Sequence, residues 1–394
     1  MDNNLIPKNP SAVDKVKALQ IRARELGFSG FGISPATLGD AGPRFRKWLA
    51  EGMAGEMGYI ERGEGKRLDP NLVLPGVQSI VCLSTNYLTA DKDMSFVDEK
   101  NTGDVSLYAL NEDYHDLLGA RLKLLEDALK QAFPECSTRR YVDTGPVLEK
   151  PLAQNAGLGW IGKHTNLITE GVGSWFFLSE ILVDIPLPYS TPATDHCGTC
   201  TACIDVCPTR AIVAPYVLDS RKCISYLTIE LKGPIPIEFR KAIGSHIYGC
   251  DDCQIVCPWN SFAHKTEEPA FVEREGTRNL IELMGLDDEG FRNRFRNSPV
   301  KRTKRRGLLR NVAIALGNSG NAEAIPVLTS SLEDAEALIR AHAVWALAEL
   351  MGMRSLAVFD LKLKAEQDDM VLAEIGLAKI KFSRSPESGL HSDL

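Results

Sequence analysis

The sequence predicts a multidomain α+β protein: a mixed α/β domain, then a ferredoxin-like segment, then an all-α domain of HEAT-like repeats. Three observations lead to this prediction. Strand-like and amphipathic helix-like stretches alternate up to about residue 185, eight cysteines lie between Cys197 and Cys257, and a helical pattern recurs after about residue 280. A chain of 394 residues is long enough for two or three domains with substantial cores.

The composition also limits the class of protein to which the chain can belong. The chain carries a net charge of −7 and is 44% hydrophobic, which is typical of a folded globular protein. It lacks the run of about 18 apolar residues that a membrane-spanning helix requires, and its start lacks a basic flank followed by an apolar segment. We therefore expect a cytoplasmic protein without a membrane partner, in which clustered cysteines bind metal rather than form disulfides.

The first domain is predicted over residues 1–187. Ser11 and Asp14 resemble a capping box at the start of a helix that ends at Gly27, and a longer amphipathic helix is expected over 113–132. Strand candidates surround these helices, at 28–34, 79–84, 139–143, 166–169 and 174–185. The proline-rich stretch that follows disfavours regular structure and predicts a boundary near 188.

The second domain, predicted over 188–265, contains two cysteine runs. Its first run, Cys197-x-x-Cys200-x-x-Cys203-x-x-x-Cys207-Pro, has the spacing of bacterial [4Fe–4S] ferredoxins, in which the fourth cysteine ligates the other cluster. The second run supplies Cys250, Cys253 and Cys257, and Cys223 is the natural eighth ligand. By the crossing rule one cluster takes Cys197, Cys200, Cys203 and Cys257, and the other takes Cys207, Cys223, Cys250 and Cys253. Tetrahedral zinc is the alternative for such CxxC pairs.

The third domain is predicted over 266–385 as helical repeats. Leu309-Arg310-x-x-Ala-Ile recurs as Ile339-Arg340-x-x-Ala-Val, and a fainter copy begins at Leu372. Steps of about 30 residues are typical of stacked helix pairs. The last residues, 386–394, are predicted to be a disordered tail.

A basic segment opens this domain. Residues 292–310 contain nine lysines and arginines and no acid, within a chain that is acidic overall. This asymmetry indicates a polyanionic partner, although a solvated helix face is the alternative. The candidate contacts are Lys301, Arg302, Lys304, Arg305, Arg306 and Arg310.

Asp143 is the candidate acid of the first domain. It ends a strand candidate, and carboxylates at strand ends often face a pocket in α/β domains. Its alternative role is that of a turn or cap residue. The triplet Gly157, Gly159 and Gly162 follows a helix-like stretch rather than a strand, which argues against a nucleotide site. His115 is interpreted as a residue at a helix start.

Several further motifs occur in a fixed order along the chain: DYH at 113–115, YVDTGPVLEK at 141–150, AGLGWIGKHTNLI at 156–168, GSWFFLSEIL at 173–182, CISYLTIE at 223–230 and SPVKRTKRRGLLRNVAIALGN at 298–318. With the two cysteine runs, these motifs resemble those of epoxyqueuosine reductases, the cobalamin-dependent iron–sulfur enzymes of tRNA queuosine biosynthesis. The resemblance covers nearly the whole chain.

This resemblance implies a base-off cobalamin in the N-terminal domain and a two-electron, two-proton removal of the epoxide oxygen of epoxyqueuosine, the last step of queuosine formation. Asp143 matches the family's proton donor, and a partly desolvated pocket beside a corrin would raise the pKa of its carboxyl. Low-valent cobalt would supply the reducing nucleophile. The implied cobalamin contacts are Arg62, Tyr108, Asp143, His164, Thr165 and Asn166.

The partner that the resemblance implies for the basic segment is tRNA with a GUN anticodon, whose phosphates the lysines and arginines would contact. An unidentified donor would supply electrons, and a monomer is expected. Two alternatives remain: a reductive dehalogenase-like enzyme with the same cofactors, and a ferredoxin-type carrier fused to an RNA-binding repeat module. The latter leaves residues 1–185 without a role.

Overall fold

The fold is described from a computed structural model, which covers residues 10–94 and 100–383. The predicted tail at 386–394 lies outside these residues. Strands are numbered in chain order: β1 Gly30–Pro35, β2 Ser79–Asn86, β3 Asp104–Val105, β4 Thr138–Tyr141, β5 Trp160–Ile161, β6 Leu167–Ile168, β7 Phe176–Val183, β8 Ile212–Ala214, β9 Val217–Leu218 and β10 His246–Tyr248.

The helices are numbered in the same way. Those that precede the first cysteine run are α1 Ala12–Glu25, α2 Ala41–Ala50, α3 Gly58–Arg62, α4 Glu64–Leu68, α5 Tyr114–Ala132 and α6 Glu149–Asn155. The later ones are α7 Ala202–Asp205, α8 Ile224–Ile229, α9 Ile237–Ile243, α10 Asp252–Ile255, α11 Leu280–Met284, α12 Asp288–Arg294, α13 Lys304–Ser319, α14 Ile325–Ser330, α15 Ala337–Met351, α16 Ser355–Lys362 and α17 Asp369–Ser383.

Contacts divide the described residues into two interleaved units. The first holds residues 10–92, 111–221 and 251–272, and the second holds 93–94, 100–110, 222–250 and 273–383. Each unit therefore joins segments that are far apart in sequence. The domain boundaries predicted near residues 188 and 265 divide the sequence into consecutive segments, and they stay predictions.

A four-stranded antiparallel sheet with the order β1-β2-β7-β4 forms the centre of the first unit. One face packs against α6 through an apolar cluster that includes Ile80, Leu182 and Leu152. A Cβ on Gly32 would lie 2.0 Å from the carbonyl oxygen of Ala156, so glycine lets α6 approach β1 closely. Helix α5 packs against β4 and β7, and α1 packs against α5. The predicted capping box of α1 is present, since Ser11 and Asp14 bond reciprocally.

The second unit is mainly helical. Its helices α13, α15 and α17 carry the three sequence copies, and α15 packs against both of the others. The alanines and leucines of α13 and α15 are almost all buried, which explains why neither helix shows a wide polar face. The predicted repeat architecture is therefore confirmed in the structure.

Candidate active site and cluster-binding cavity

The chain makes a strained turn at Asp143, two residues after β4 ends. The backbone N–H of Thr144 donates to the carbonyl oxygen of Val142 at 2.6 Å, which closes a three-residue turn centred on Asp143. Asp143 has a φ of +57°, a left-handed conformation that non-glycine residues rarely adopt. Its side chain is 48% exposed. Strained backbone of this kind concentrates at functional sites, because the surrounding structure must hold it in place.

Two side chains at the start of α5 hold the Asp143 carboxylate. The Tyr114 hydroxyl donates to Oδ2 at 3.0 Å, and Nε2 of His115 lies 3.3 Å from the same oxygen. On its other side, Nδ1 of His115 lies 2.7 Å from Oδ1 of Asp113, which caps α5 through the His115 N–H. The Tyr114 ring stacks between His115 and Phe177, with centroids 4.1 and 4.0 Å away. His115 thus lies between two carboxylates in a packed position.

The environment of His115 favours its charged form. Burial lowers the pKa of the imidazole, but hydrogen bonds to Asp113 and Asp143 and the charges of both carboxylates raise it to about 9. Below that pH the ring is an imidazolium whose two N–H groups donate to Asp143 and Asp113. The sequence pattern predicts His115 only as a residue at a helix start, and the DYH triplet is the signal that identifies it as part of the site.

Two further acids lie close to Asp143. Glu149 begins α6, and its Oε1 is buried without a hydrogen-bond partner among residues 10–94 and 100–383. Glu180 is fully buried in β7, and neither of its carboxyl oxygens has a hydrogen-bond partner among the described residues. Burial and then the charge of Asp143 raise the pKa of Glu149 to about 7, while burial and then the charge of Glu149 raise that of Glu180 well above its usual range.

Four of the predicted cluster ligands line one cavity of about 290 Å³ in the first unit: Cys197, Cys200, Cys203 and Cys257. Burial, followed by the charges of the other three sulfurs, raises the pKa of the Cys203 thiol to about 11. Thiols of this kind remain protonated at neutral pH until a metal replaces the protons. Apolar residues enclose the sulfurs, among them Ile168 and Trp259. Four thiols around one enclosed cavity fit the ligation of a [4Fe–4S] cluster.

Lys163 fixes the loop that carries two of these ligands. Its side chain is almost fully buried, and Nζ donates to the carbonyl oxygens of Gly198 at 2.7 Å and Cys200 at 2.8 Å. The buried ammonium therefore orders the backbone of the first cysteine run. It also places a positive charge beside a site whose thiolates and cluster would be negative.

The other four predicted ligands belong to both units. Cys207 and Cys253 are in the first unit, and Cys223 and Cys250 are in the second. The sulfur of Cys207 accepts the backbone N–H of Ala211 at 3.2 Å. Cys82 and Cys136 are buried away from the two runs, as expected for ordinary packed residues.

The predicted cobalamin contacts fall in three places. Thr165 and Asn166 are partly exposed, and Nζ of Lys150 orders them by donating to the Thr165 carbonyl at 2.9 Å and the Asn166 side chain at 3.1 Å. Arg62 is exposed at the end of α3. Tyr108 belongs to the second unit, where its ring lies 6.2 Å from that of Tyr248.

His164 faces inward instead. It is 3% exposed and lines the cluster cavity, and its Nδ1 accepts the backbone N–H of Asn166 at 3.0 Å. This contact assigns the ring proton to Nε2, which has no hydrogen-bond partner within residues 10–94 and 100–383. Burial, and then the charge of Lys150, lowers the pKa of His164 to about 4, so the ring is neutral.

The basic segment forms a groove of about 450 Å³ in the second unit, lined by Asp288, Phe291, Arg292, Phe295, Arg296, Asn297, Lys301, Lys304 and Arg305. Lys301, Arg302, Lys304 and Arg306 are exposed. Arg302 pairs with Glu230 at 2.6 Å. Arg305 is mostly buried, where it pairs with Asp334 and donates to the carbonyl of Leu286 at 2.7 Å.

Arg310 differs from the rest of the basic set, because it is 1% exposed. Its guanidinium donates to the carbonyl oxygens of Leu227 and Leu231, each at 2.8 Å, and of Gly233 at 2.7 Å. A side chain held in this way is not available to a phosphate. The structure instead gives Arg310 a structural role, and we leave it out of the candidate RNA contacts.

Three family models match the chain. They describe the epoxyqueuosine reductase QueG, DUF1730, over residues 67–144, a 4Fe-4S double cluster binding domain over 196–260, and HEAT repeats over 303–378. The first range includes Asp143 and His115, and the second includes all eight candidate cluster cysteines. None of the helices within the described residues combines the length and apolarity needed to cross a bilayer.

Curated relatives and solved structures agree with these models. The epoxyqueuosine reductase of Xanthomonas campestris is 45% identical over 346 residues, which cover 86% of this chain and 97% of that protein. The Escherichia coli enzyme is 41% identical and covers 90% and 94% respectively. A crystal structure of an epoxyqueuosine reductase with an epoxyqueuosine-modified tRNA-Tyr stem loop aligns with a TM-score of 0.87 and 31% identity over 95% of this chain and 100% of that chain.

A Bacillus subtilis epoxyqueuosine reductase, solved with its catalytic aspartate loop swung out of the active site, aligns with a TM-score of 0.86. It is 30% identical to this chain, and the alignment covers 93% of this chain and 99% of that one. These likenesses extend over the α/β, cysteine-rich and repeat segments alike.

Proposed function

Because this chain belongs to the epoxyqueuosine reductase family, we propose that Asp143 and His115 supply protons and the cluster cysteines carry electrons for the family's reaction. That reaction reduces epoxyqueuosine to queuosine in tRNA. Two electrons and two protons are consumed, both C–O bonds of the epoxide break, a C=C bond forms, and the oxygen leaves as water. The chain must therefore deliver two protons to one oxygen.

The arrangement of Asp113, His115 and Asp143 is the observation that carries this proposal. Asp143 is half-exposed, so its carboxyl can reach a substrate, whereas His115 is packed behind it. The Asp143 carboxylate can take the proton of the His115 imidazolium, 3.3 Å away, and pass it to the epoxide oxygen, and its exposure lets solvent supply the second proton. Asp113 then stabilises the ring in the position needed for the next transfer.

We propose that residues 142–148 are the counterpart of the catalytic aspartate loop that swings out of the active site in the Bacillus subtilis relative. The left-handed turn at Asp143 suits a loop with two positions, since its strained conformation persists only while neighbouring contacts hold it. Such a loop could admit the modified nucleotide before Asp143 closes on it.

For the two clusters we propose the ligand sets expected from the crossing rule. Cys197, Cys200, Cys203 and Cys257 hold the first, which is supported by their shared cavity. Cys207, Cys223, Cys250 and Cys253 hold the second. An electron donor of unidentified nature would reduce the clusters in a monomeric protein.

Cobalamin is the cofactor we propose for the epoxide step, and the residues present fit it. The corrin carries amide side chains, and Thr165, Asn166 and Asp143 offer hydroxyl, amide and carboxylate partners on part-exposed backbone. Arg62 offers a further exposed donor. When bound, cobalamin supplies a strongly reducing metal nucleophile, which no side chain can provide. The inward position of His164 directs its free N–H into the protein interior, so we leave it out of this set.

We propose that the basic groove binds the anticodon arm of tRNA with a GUN anticodon. Lys304, Arg305 and Arg306 occupy the first turn of α13, where the helix dipole already makes positive charge unfavourable. A phosphate at this end would interact favourably with both the helix dipole and the cations. This is why we favour a polyanion over a merely solvated surface.

The test uses anaerobically reconstituted protein, epoxyqueuosine-containing tRNA and a strong reductant, with and without cobalamin, followed by nucleoside mass spectrometry. Loss of one oxygen only in the presence of cobalamin supports the reaction and the cofactor together. If cubanes and bound cobalamin are verified and no conversion occurs, the proposed reaction of this chain is wrong.

A further inference from the structure

The hairpin formed by β5 and β6 makes up part of the wall of the first cluster cavity. Its strands pair with each other in antiparallel fashion, and Trp160 and Ile168 form an apolar cluster with the candidate ligand Cys257. Lys163 and His164, in the turn between the strands, line the cavity together with the four cysteines. The hairpin thus supplies both apolar packing and polar side chains around the proposed site of the first [4Fe–4S] cluster.

Hydrogen bonds within this turn fix the ring of His164 in one orientation. The Gly162 N–H donates to the Asn166 carbonyl, and the Thr165 N–H donates to the Gly162 carbonyl, both at 2.8 Å. The Asn166 N–H donates to Nδ1 of His164 at 3.0 Å, which places the ring proton on Nε2. Thr165 has a φ of +70°, and Nζ of Lys150 binds its carbonyl at 2.9 Å. The turn therefore determines both the orientation and the tautomer of His164.

Two buried N–H groups of this hairpin lack a hydrogen-bond partner among residues 10–94 and 100–383. They are Nε2–H of His164, which is 3% exposed, and Nε1–H of Trp160, which is 2% exposed. Buried donors in folded proteins are almost always paired, because an unpaired donor has lost its hydrogen bonds to water without replacement. A [4Fe–4S] cluster brings acceptors with it, namely its sulfides and the cysteine thiolates. Both unpaired donors therefore fit a cavity that binds a cluster.

We propose that His164 donates its Nε2–H to a sulfur of the first cluster and thereby raises the reduction potential of that cluster. Hydrogen bonds to the sulfurs are among the factors that set the potentials of such clusters. The reduced cluster carries one more negative charge than the oxidised cluster, so the hydrogen bond stabilises the reduced form more. An electron donor of fixed potential then keeps a larger fraction of the cluster reduced. This inference rests on the proposed ligands of the first cluster and deepens that proposal.

Lys163 contributes a positive charge to the same cavity, and its effect on the potential must be separated from that of His164. Its ammonium donates to the carbonyl oxygens of Gly198 and Cys200, and neither contact involves the imidazole. Substitutions of His164 therefore leave the charge of Lys163 in place. A change in potential that follows the presence or absence of a donor at position 164 is then due to the N–H group.

Two substitutions separate the roles of the two ring nitrogens of His164. In His164→Asn, the short side chain can present its carbonyl oxygen near the position of Nδ1 and accept the Asn166 N–H, but it does not reach the position of Nε2. In His164→Gln, the longer side chain can present an amide N–H near the position of Nε2 and so replace the donor. His196→Asn is the matched control, because His196 lines the same cavity but its Nε2 already lies 3.1 Å from the hydroxyl oxygen of Thr194.

The first measurement is a redox titration of the anaerobically reconstituted full-length protein, in which electron paramagnetic resonance detects the reduced clusters. Cys203→Ser identifies the transition that belongs to the first cluster. At the wild-type midpoint potential of that cluster, His164→Asn should lower the reduced-to-oxidised ratio about tenfold, which corresponds to about 59 mV for a one-electron couple. His164→Gln and His196→Asn should stay within about twofold of wild type. The midpoint potential of the second cluster should be the same in wild type and in these three variants.

The second measurement detects the hydrogen bond itself. In protein with isotopically labelled histidine nitrogens, electron–nuclear double resonance of the reduced first cluster should show a nitrogen coupling in wild type and in His196→Asn. This coupling should be absent in His164→Asn. Because the wild-type spectrum alone reveals the coupling, its absence there overturns the inference even if His164→Asn fails to assemble its clusters.

The outcomes separate this inference from the proposals on which it rests. If wild type holds about eight iron atoms, four for each cluster, and shows the expected potentials and coupling but does not convert epoxyqueuosine, the role of His164 stands and the proposed reaction is wrong. If Cys203→Ser changes neither transition, the ligands proposed for the first cluster are wrong, and the inference fails with them. If both clusters form and His164→Asn has the potential and coupling of wild type, or if His164→Gln or His196→Asn lowers the potential as much as His164→Asn, the inference is overturned.

Discussion

At the scale of single residues, Asp143 is half-exposed, has a strained backbone and accepts hydrogen bonds from Tyr114 and His115. Replacing it with asparagine keeps its size and most of its contacts but removes the acidic proton. We expect Asp143→Asn to lower kcat by at least about 100-fold, which is the usual contribution of a general acid. Iron content should be unchanged, and cobalamin should stay bound through the asparagine amide and the other proposed contacts. Asp116→Asn, an exposed acid on α5, is the matched control, and comparable turnover in both variants would contradict the role of Asp143.

His115 yields a prediction for stability and pH. The folded protein raises the pKa of this imidazole from its usual value near 6.5 to about 9. The stabilisation from its charged form is therefore fully present below pH 6.5 and is lost as pH rises through 9. We expect the Tm difference between wild type and His115→Gln to be largest near pH 6 and to shrink towards pH 9.

The measurement for His115 is thermal unfolding at a series of pH values, with the ring titration followed by NMR. His264→Gln changes an exposed histidine and serves as the control, with no such trend expected. A Tm difference for His115→Gln that stays constant from pH 6 to 9 would show that the two carboxylates do not hold an imidazolium.

Asp143 is predictable from the sequence, but the groups that surround it are not. Asp143 follows a strand-like run and belongs to a recognisable motif, so its position was predictable. His115 lies 28 positions earlier, and Glu180 lies 37 positions later; only the pairing of β4 with β7 and the packing of α5 bring them together. A single sequence does not specify these long-range contacts. The inward orientation of His164 was also unpredictable, because it depends on how one loop packs over the cysteines.

At the scale of secondary structure elements, the repeat helices explain Arg310. Arg310 in α13 and Arg340 in α15 occupy the same position of the repeat. Both guanidinium groups bind backbone carbonyls that come earlier in the chain. Arg310 binds those of Leu227 in α8 and of Leu231 and Gly233 after it. Arg340 donates to the carbonyls of Asp334 and Ala335 and also pairs with Glu366. The equivalence of the two arginines was visible in sequence, and it was the signal that Arg310 belongs to the repeat rather than to the basic surface.

This comparison predicts that Arg310→Met lowers the stability of the repeat unit and leaves the KM for tRNA unchanged. The substitution leaves the carbonyls of Leu227, Leu231 and Gly233 without this donor, which we expect to lower the free energy of unfolding by about 3 kcal/mol. Chemical denaturation measures this decrease. The exposed Arg292→Met is the control for stability. If Arg310→Met instead raises KM for tRNA while stability is unchanged, the structural role assigned to Arg310 is wrong.

Most elements were predictable because their signals are local. The capping box of α1, the helical period of α5 and the apolar runs of β2 and β7 each lie within one stretch of chain. What local signals could not show is the interleaving of the two units, which depends on segments such as 251–272 packing with residues far earlier in the sequence. The sheet order β1-β2-β7-β4 likewise follows from tertiary packing.

At the scale of the whole molecule, the proposed proton-donor site and the proposed RNA-binding groove lie in different units. Asp143, His115 and the first cluster cavity are in the first unit, whereas the basic groove is in the second. Substitutions in the groove should therefore change the affinity for tRNA without changing the cofactors. The family acts on tRNA rather than on a free nucleoside. Phosphate contacts in the groove would therefore supply affinity that is largely independent of base sequence.

The corresponding prediction is that a combined Lys301→Glu, Lys304→Glu and Arg306→Glu variant raises KM for tRNA at least tenfold while leaving iron–sulfur spectra intact. These three side chains are exposed, so their reversal should not disturb the core. Each phosphate that the variant no longer neutralises should also reduce the slope of log affinity against log salt concentration by about one. Filter binding between low and moderate salt measures both quantities.

Lys123→Glu and Lys130→Glu on α5 in the first unit form the control for charge. An unchanged KM and salt slope in the groove variant would refute RNA binding at the groove. If the control variant raised KM equally, the effect would come from net charge alone.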